Sequence, residues 1–133
     1  MSDSIKLALV GCGGISRAHV KGYADLYARG CREFEVVACC DVRAENAAIR
    51  AGEIGEFQGV EPRVFGQVSE LIEAGIADAA DVCVPHCFHH SVAIELLEGG
   101  LHAHVPLRRD VVGADKDFSH IFRNVVDVGQ RTF

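Results

Sequence analysis

The apolar run Ile5 to Val10 stops at Gly11-Cys-Gly-Gly14, and helix-compatible sequence follows from Ile15 to Ala28, ended by Gly30. A run without polar alternation predicts a strand covered on both faces, and a tight glycine turn into a helix starts a crossover to a parallel neighbour. This one feature excludes most all-α and antiparallel architectures.

The rest of the chain repeats the pattern. Phe34 to Cys40 is a second apolar strand ending in Asp41, and Ala44 to Ala51 is a helix that Gly52 and Gly55 interrupt. Arg63 to Phe65 reads as a short strand, Val68 to Ala74 as a helix, and Asp81 to Val84 as a fourth strand cut off by Pro85. Val92 to Glu98 is a helix closed by Gly99-Gly100, and His102 to Val105 a fifth strand. Asp115 onward reads as a helix with Phe118, Ile121 and Phe122 inward, then a strand from Asn124 to Val128. Alternating strands and helices predict an α/β fold, a doubly wound parallel sheet of the Rossmann type. At 133 residues the chain is expected to be one domain, residues 1–133.

Composition narrows the function. A net charge of −6 leaves no basic face for phosphate backbones, so a nucleic-acid partner is not expected. No segment has the length of a membrane span or the layout of a signal peptide, so the expected location is the cytoplasm. The six cysteines (12, 31, 39, 40, 83 and 87) include no CxxC pair and are expected as free thiols.

Gly11 and Gly13 occupy the places of a GxG turn. It bends the chain and lets the backbone approach a diphosphate, which the N–H groups at the next helix start would meet. A third fingerprint glycine would fall at Ser16, which is still small. Asp41, at the end of the second strand, would accept hydrogen bonds from ribose hydroxyls and repel a 2′-phosphate, which favours NAD. Arg43 could face such a phosphate, which keeps NADP possible. The plainer use also stays open: glycines only for a turn, and Asp41 only as a helix cap. Cys12, beside a helix N-terminus, is either a thiol of lowered pKa or a small residue tolerated at the turn.

Three stretches resemble the Gfo/Idh/MocA family of NAD(P)-dependent oxidoreductases: LVGCGGISRAH (Leu9 to His19), VVACCDVR (Val36 to Arg43) and DVCVPHCFHHSVAIELLEGGLHAHV (Asp81 to Val105). VVDVGQRTF (Val125 to Phe133) looks like the sixth strand of the family's nucleotide domain. The resemblance implies dehydrogenase chemistry on sugars or polyols and a cofactor site at Gly11, Cys12, Gly13, Gly14, Ile15, Asp41 and Arg43. It adds the segment after the fourth strand, Thr-Pro-Asn-x-x-His in the family. Here Pro85 and His89 match, while Val84 and His86 depart.

The family's fifth strand is followed by Glu-Lys-Pro, whose lysine is the usual proton donor or acceptor. Here Gly100 and His102 match the approach and Pro106-Leu107 the exit, but the Glu-Lys pair is missing. Arg108 and Arg109 stay protonated and are poor general acids or bases. The family's C-terminal substrate domain is also expected to be absent. The resemblance therefore implies an NAD(P)-binding domain without catalytic residues of its own and without autonomous hydride transfer. It is expected to act as a homodimer or with a partner subunit. Two other readings stand beside it: an NAD(H)-sensing or subunit-pairing module, and a structural remnant that binds no coenzyme.

Five of the seven histidines lie between residues 86 and 104, near Cys83 and Cys87, which raises the question of zinc. His89 and His102 already match family positions without a metal role, so no metal is expected. His19, Tyr23, Leu26 and Tyr27 read as packing positions of the first helix.

Overall fold

Strand β1, Ile5–Val10, is the centre of the sheet. Its neighbours are β2, Phe34–Cys40, and β4, Ala79–Val82, with β3, Arg63–Phe65, and β5, His102–His104, outside them in the order β3-β2-β1-β4-β5. All four pairings are parallel, in a computed structural model that describes residues 4–104 apart from the side chains of His86 and His104. The doubly wound α/β sheet expected from the strand–helix alternation is therefore present. The expected helix and strand beyond Asp115, and Val105 of the fifth strand, lie outside the described residues.

Helices α1, Ser16–Ala28, and α2, Ala44–Gln58, cover one face of the sheet; α3, Val68–Ala74, and α4, His89–Glu98, cover the other. Leu7 and Leu9 point into the first layer, with Val20, Tyr23, Leu26, Ala51 and Ile54. Ala8 and Val10 point into the second, with Phe65, Leu71 and Leu96. The alternation of Leu7 to Val10 along β1 shows why these four had to be apolar: both sides are core.

Three boundaries differ from the sequence expectation. Helix α2 runs through Gly52 and Gly55 to Gln58 because Ala47, Ala51 and Ile54 are fully buried at helical spacing, and tertiary packing outweighs the glycines' cost of about 1 kcal/mol each. The helix stops at Gly59, whose φ of 85° is left-handed. Strand β4 begins two residues earlier than expected, because Ala79 and Ala80 pair with Leu7 and Ala8, and it leaves the ladder at Cys83. A 3-10 turn, His86–Phe88, follows Pro85 and leads into α4 three residues before Val92.

Candidate functional site

In a parallel sheet of this order the crossovers from β1 and β4 leave in opposite directions, so a crevice opens at the carboxyl ends of those strands. A cleft of about 640 Å³ lies there, a size typical of small-molecule sites. Its floor is the glycine turn, with Gly11, Gly13, Gly14 and Ile15. Asp41, Val42 and Arg43 form one wall after β2, and Val84, Pro85 and Phe88 form the other after β4. Gly66, Val68 and Val92 close the back.

The two glycines of the GxG turn do different work. Gly11 has φ +93°, and a Cβ there would lie 2.6 Å from the backbone of both Cys83 and Val84. It is required where the turn crosses β4's exit. Gly13 and Gly14 line the cleft, and a Cβ on either would meet nothing within 4 Å. That open space over the backbone is the cradle a diphosphate needs, so the residues present fit such a group.

Cys12, between them, turns inward and is 1% exposed. A hydrogen bond with the Cys39 thiol and burial hold its pKa far above the usual thiol range, so the helix N-terminus does not make it reactive. Burial likewise pushes Cys40 up to about 12.

Asp41 is placed by both of its oxygens. Oδ2 accepts the Cys12 N–H at 2.7 Å and Oδ1 the Arg43 N–H at 2.8 Å. Arg43 is the N-cap residue of helix α2 and makes no side-chain cap, and the Asp41 carboxylate meets the Arg43 N–H rather than a helical one. His89 does not line the cleft; its Nε2 donates to the Val84 carbonyl at 2.7 Å and so holds the Val84–Pro85 segment. The His86 side chain is outside the described residues.

Sequence reasoning missed two polar groups. Arg50, on α2, is 6% exposed and reaches beneath the glycine turn, where Nε–H is shared between Ser16 Oγ at 3.0 Å and the Cys12 carbonyl at 3.3 Å. Asp81, on β4, is buried against α1. It accepts from His19 Nδ1 at 2.6 Å and from the Tyr23 hydroxyl. Burial opposes a charged His19, but the charge and hydrogen bond of Asp81 outweigh it and raise the His19 pKa. In both cases the signal was a polar residue on the inward face of an apolar pattern: position 50 between Ala47 and Ala51, and position 81 between Ala80 and Val82.

Among the described residues, His19, Asp81 and Cys83 have ligand-type atoms within 4.8 Å of one another. The 2.6 Å between His19 and Asp81 is a hydrogen-bond distance, shorter than the roughly 3.3 Å separating two ligands of one tetrahedral zinc. Of the histidines that crowd the later sequence, the described ones, His89, His90 and His102, do not enter this group.

The family model described as an oxidoreductase family with an NAD-binding Rossmann fold matches residues 5–106. The chain belongs to the Gfo/Idh/MocA family. Its cofactor class is therefore a nicotinamide dinucleotide. No curated protein matches. Among solved structures, an oxidoreductase from Thermotoga maritima is 29% identical with a TM-score of 0.61, over 75% of this chain and 28% of that one. The WlbA dehydrogenase from Bordetella pertussis, in complex with NADH and UDP-GlcNAcA, is 27% identical with a TM-score of 0.59, over 95% of this chain and 35% of that one. The myo-inositol dehydrogenase from Lactobacillus casei, in complex with NAD(H) and myo-inositol, shares the fold at 20% identity and a TM-score of 0.63, over 75% of this chain and 27% of that one. This Gfo/Idh/MocA chain thus spans about a third of the length of such relatives. No described helix is long and apolar enough to cross a membrane.

Proposed function

We propose that this domain holds NAD(H) across the cleft and does not by itself oxidise or reduce a sugar. The diphosphate lies over Gly11, Gly13, Gly14 and Ile15, with Cys12 contributing only backbone. Asp41 holds the adenosine ribose, and its negative charge favours NAD over NADP despite the exposed Arg43 beside it. Val84, Pro85, His86 and His89 form the segment against the nicotinamide half. The observation that carries this reading is convergence: the glycine turn, Asp41 and the Val84–Pro85 segment, far apart in sequence, border one cleft.

A bound nicotinamide supplies the hydride donor or acceptor. What the chain lacks is a proton carrier at the family's lysine position, since Val105 is followed directly by Pro106. Loss of one general acid or base lowers a rate by about 10² to 10⁴. Exposed Ile94 and Leu97 on α4 support association with a second chain, a homodimer in the simplest case.

The test is a fluorescence titration with NADH and NADPH, followed by a turnover assay with NAD, NADP and a panel of polyols and nucleotide sugars. Saturable NADH binding without steady turnover is the expected result. No binding at millimolar coenzyme overturns the first half of the reading, and steady turnover overturns the second. Light scattering at roughly 50 μM, where weak contacts become populated, reads the dimer.

A further inference from the structure

Arg50 is the one strongly basic group buried beneath the glycine turn among the described residues. Its Nε–H holds the Cys12 carbonyl and the Ser16 hydroxyl, and Ser16 Oγ in turn donates to the Gly13 carbonyl at 2.5 Å. Two successive carbonyls, those of Cys12 and Gly13, are thereby drawn inward.

A trans peptide is planar with its C=O and N–H opposed, so a carbonyl fixed inward turns the following N–H outward. The N–H groups so directed are those of Gly13 and Gly14, both in the cleft floor. Among the described residues no acceptor takes either one. A guanidinium also remains charged at any physiological pH, and a charge shielded from water acts over a longer range than an exposed one. Glu53, on the next turn of α2 and about half exposed, accepts from Arg50 Nη1 and partly offsets that charge.

We propose that Arg50 is a positioning residue for the coenzyme's diphosphate: from behind the turn it aims the Gly13 and Gly14 N–H groups into the cleft and supplies the positive charge beneath them. This rests on the dinucleotide reading above. The charge and the aim are separable. Arg50→Met keeps the apolar stem and removes both, Arg50→Lys keeps the charge alone, and Glu53→Gln leaves Arg50 in place with its charge no longer offset.

The experiment is NADH titration of the full chain and these three variants at low and high salt, with a thermal melt of each sample. Arg50→Met is expected to weaken NADH about tenfold or more, because a buried charged donor is lost beside two acceptors. Arg50→Lys should recover at least half of that loss on a logarithmic scale. Glu53→Gln should tighten NADH about threefold at low salt, and the gain should vanish near 0.5 M salt, where the Debye length is roughly 4 Å. A folded Arg50→Met that binds NADH within about twofold of the unaltered chain overturns the proposal, since that is well below the effect of a charged hydrogen bond. If Arg50→Met does not fold, a Glu53→Gln affinity unchanged at both salts overturns it. An unaltered chain that binds no NADH overturns the dinucleotide reading itself and with it this assignment.

Discussion

The Asp41 carboxylate accepts the Cys12 backbone N–H at 2.7 Å, tying the residue after β2 to the turn after β1. The same side chain thus shapes the floor of the cleft and sets the charge of its wall. Replacing it separates the two roles. Asp41→Ala leaves the Cys12 and Arg43 N–H groups without this acceptor and is expected to cost about 1–3 kcal/mol in chemical denaturation. Asp41→Asn keeps an acceptor oxygen but removes the charge. Its expected signature is a NADPH affinity that rises relative to NADH, read by titrating both coenzymes. An unchanged ratio contradicts the charge role.

Gly11 and Gly13 should answer differently to the same added methyl group. At Gly11 the Cβ meets backbone atoms of Cys83 and Val84 at 2.6 Å, and φ is +93°. Left-handed backbone alone costs an alanine about 1–2 kcal/mol, and the clash adds to that. Gly11→Ala is expected to express poorly or to melt far below the unaltered chain. Gly13→Ala meets no protein atom and should melt within a degree or two, roughly the effect of a neutral surface change. Its effect should appear only as weakened NADH binding, because the methyl group would fill the place proposed for the diphosphate.

How far the sequence disclosed this molecule follows from what each residue contributes locally. Strand β1 and the turn were legible because five apolar residues out of six, the glycines of the turn and a helix state the local structure without help from the rest of the chain. Helix α2 was cut short at Gly52 because propensity is a weak term and the burial of Ile54, which decides the matter, depends on strands not yet placed. The cleft's outline followed from Gly11, Asp41 and Pro85. What stands behind it did not. Arg50 reads in isolation as an ordinary exposed helix residue, and Asp81 as the start of a strand. Only the packing of α2 against the turn, and of α1 against β4, gives either a partner.

The cysteines sort by burial. Cys12, Cys39, Cys40 and Cys83 are buried, Cys31 is half-buried and Cys87 is exposed. Burial comes first among the causes that raise the Cys83 pKa, followed by the nearby Asp81 charge, so little thiolate forms there at neutral pH. Alkylation of the native chain near pH 8, followed by mass spectrometry, is expected to modify Cys87 fast, Cys31 more slowly and the other four only after denaturation. Rapid native labelling of Cys12 would contradict its inward placement.

The buried pair of His19 and Asp81 predicts a definite sign for the dependence of stability on pH. The folded-state pKa of His19 is raised above the value of about 6.5 expected when unfolded. Folding therefore favours the protonated imidazole. That contribution is fully present below the unfolded pKa and is lost as pH rises through the folded one. Two of its neighbours do not titrate in this window: burial first, then the Asp81 charge, holds the Tyr23 hydroxyl well above its usual range, and Cys83 stays a thiol. Tyr23→Phe should thus cost about 1.5–3 kcal/mol, the worth of a hydrogen bond to a charged group, with little change between pH 6 and 8. His19→Gln keeps a donor for Asp81 but cannot take up the proton. The stability gap between this variant and the unaltered chain, from denaturation at several pH values, is expected to be widest near pH 6 and to narrow as pH rises. A gap that stays constant or widens would mean that the folded chain does not favour the imidazolium.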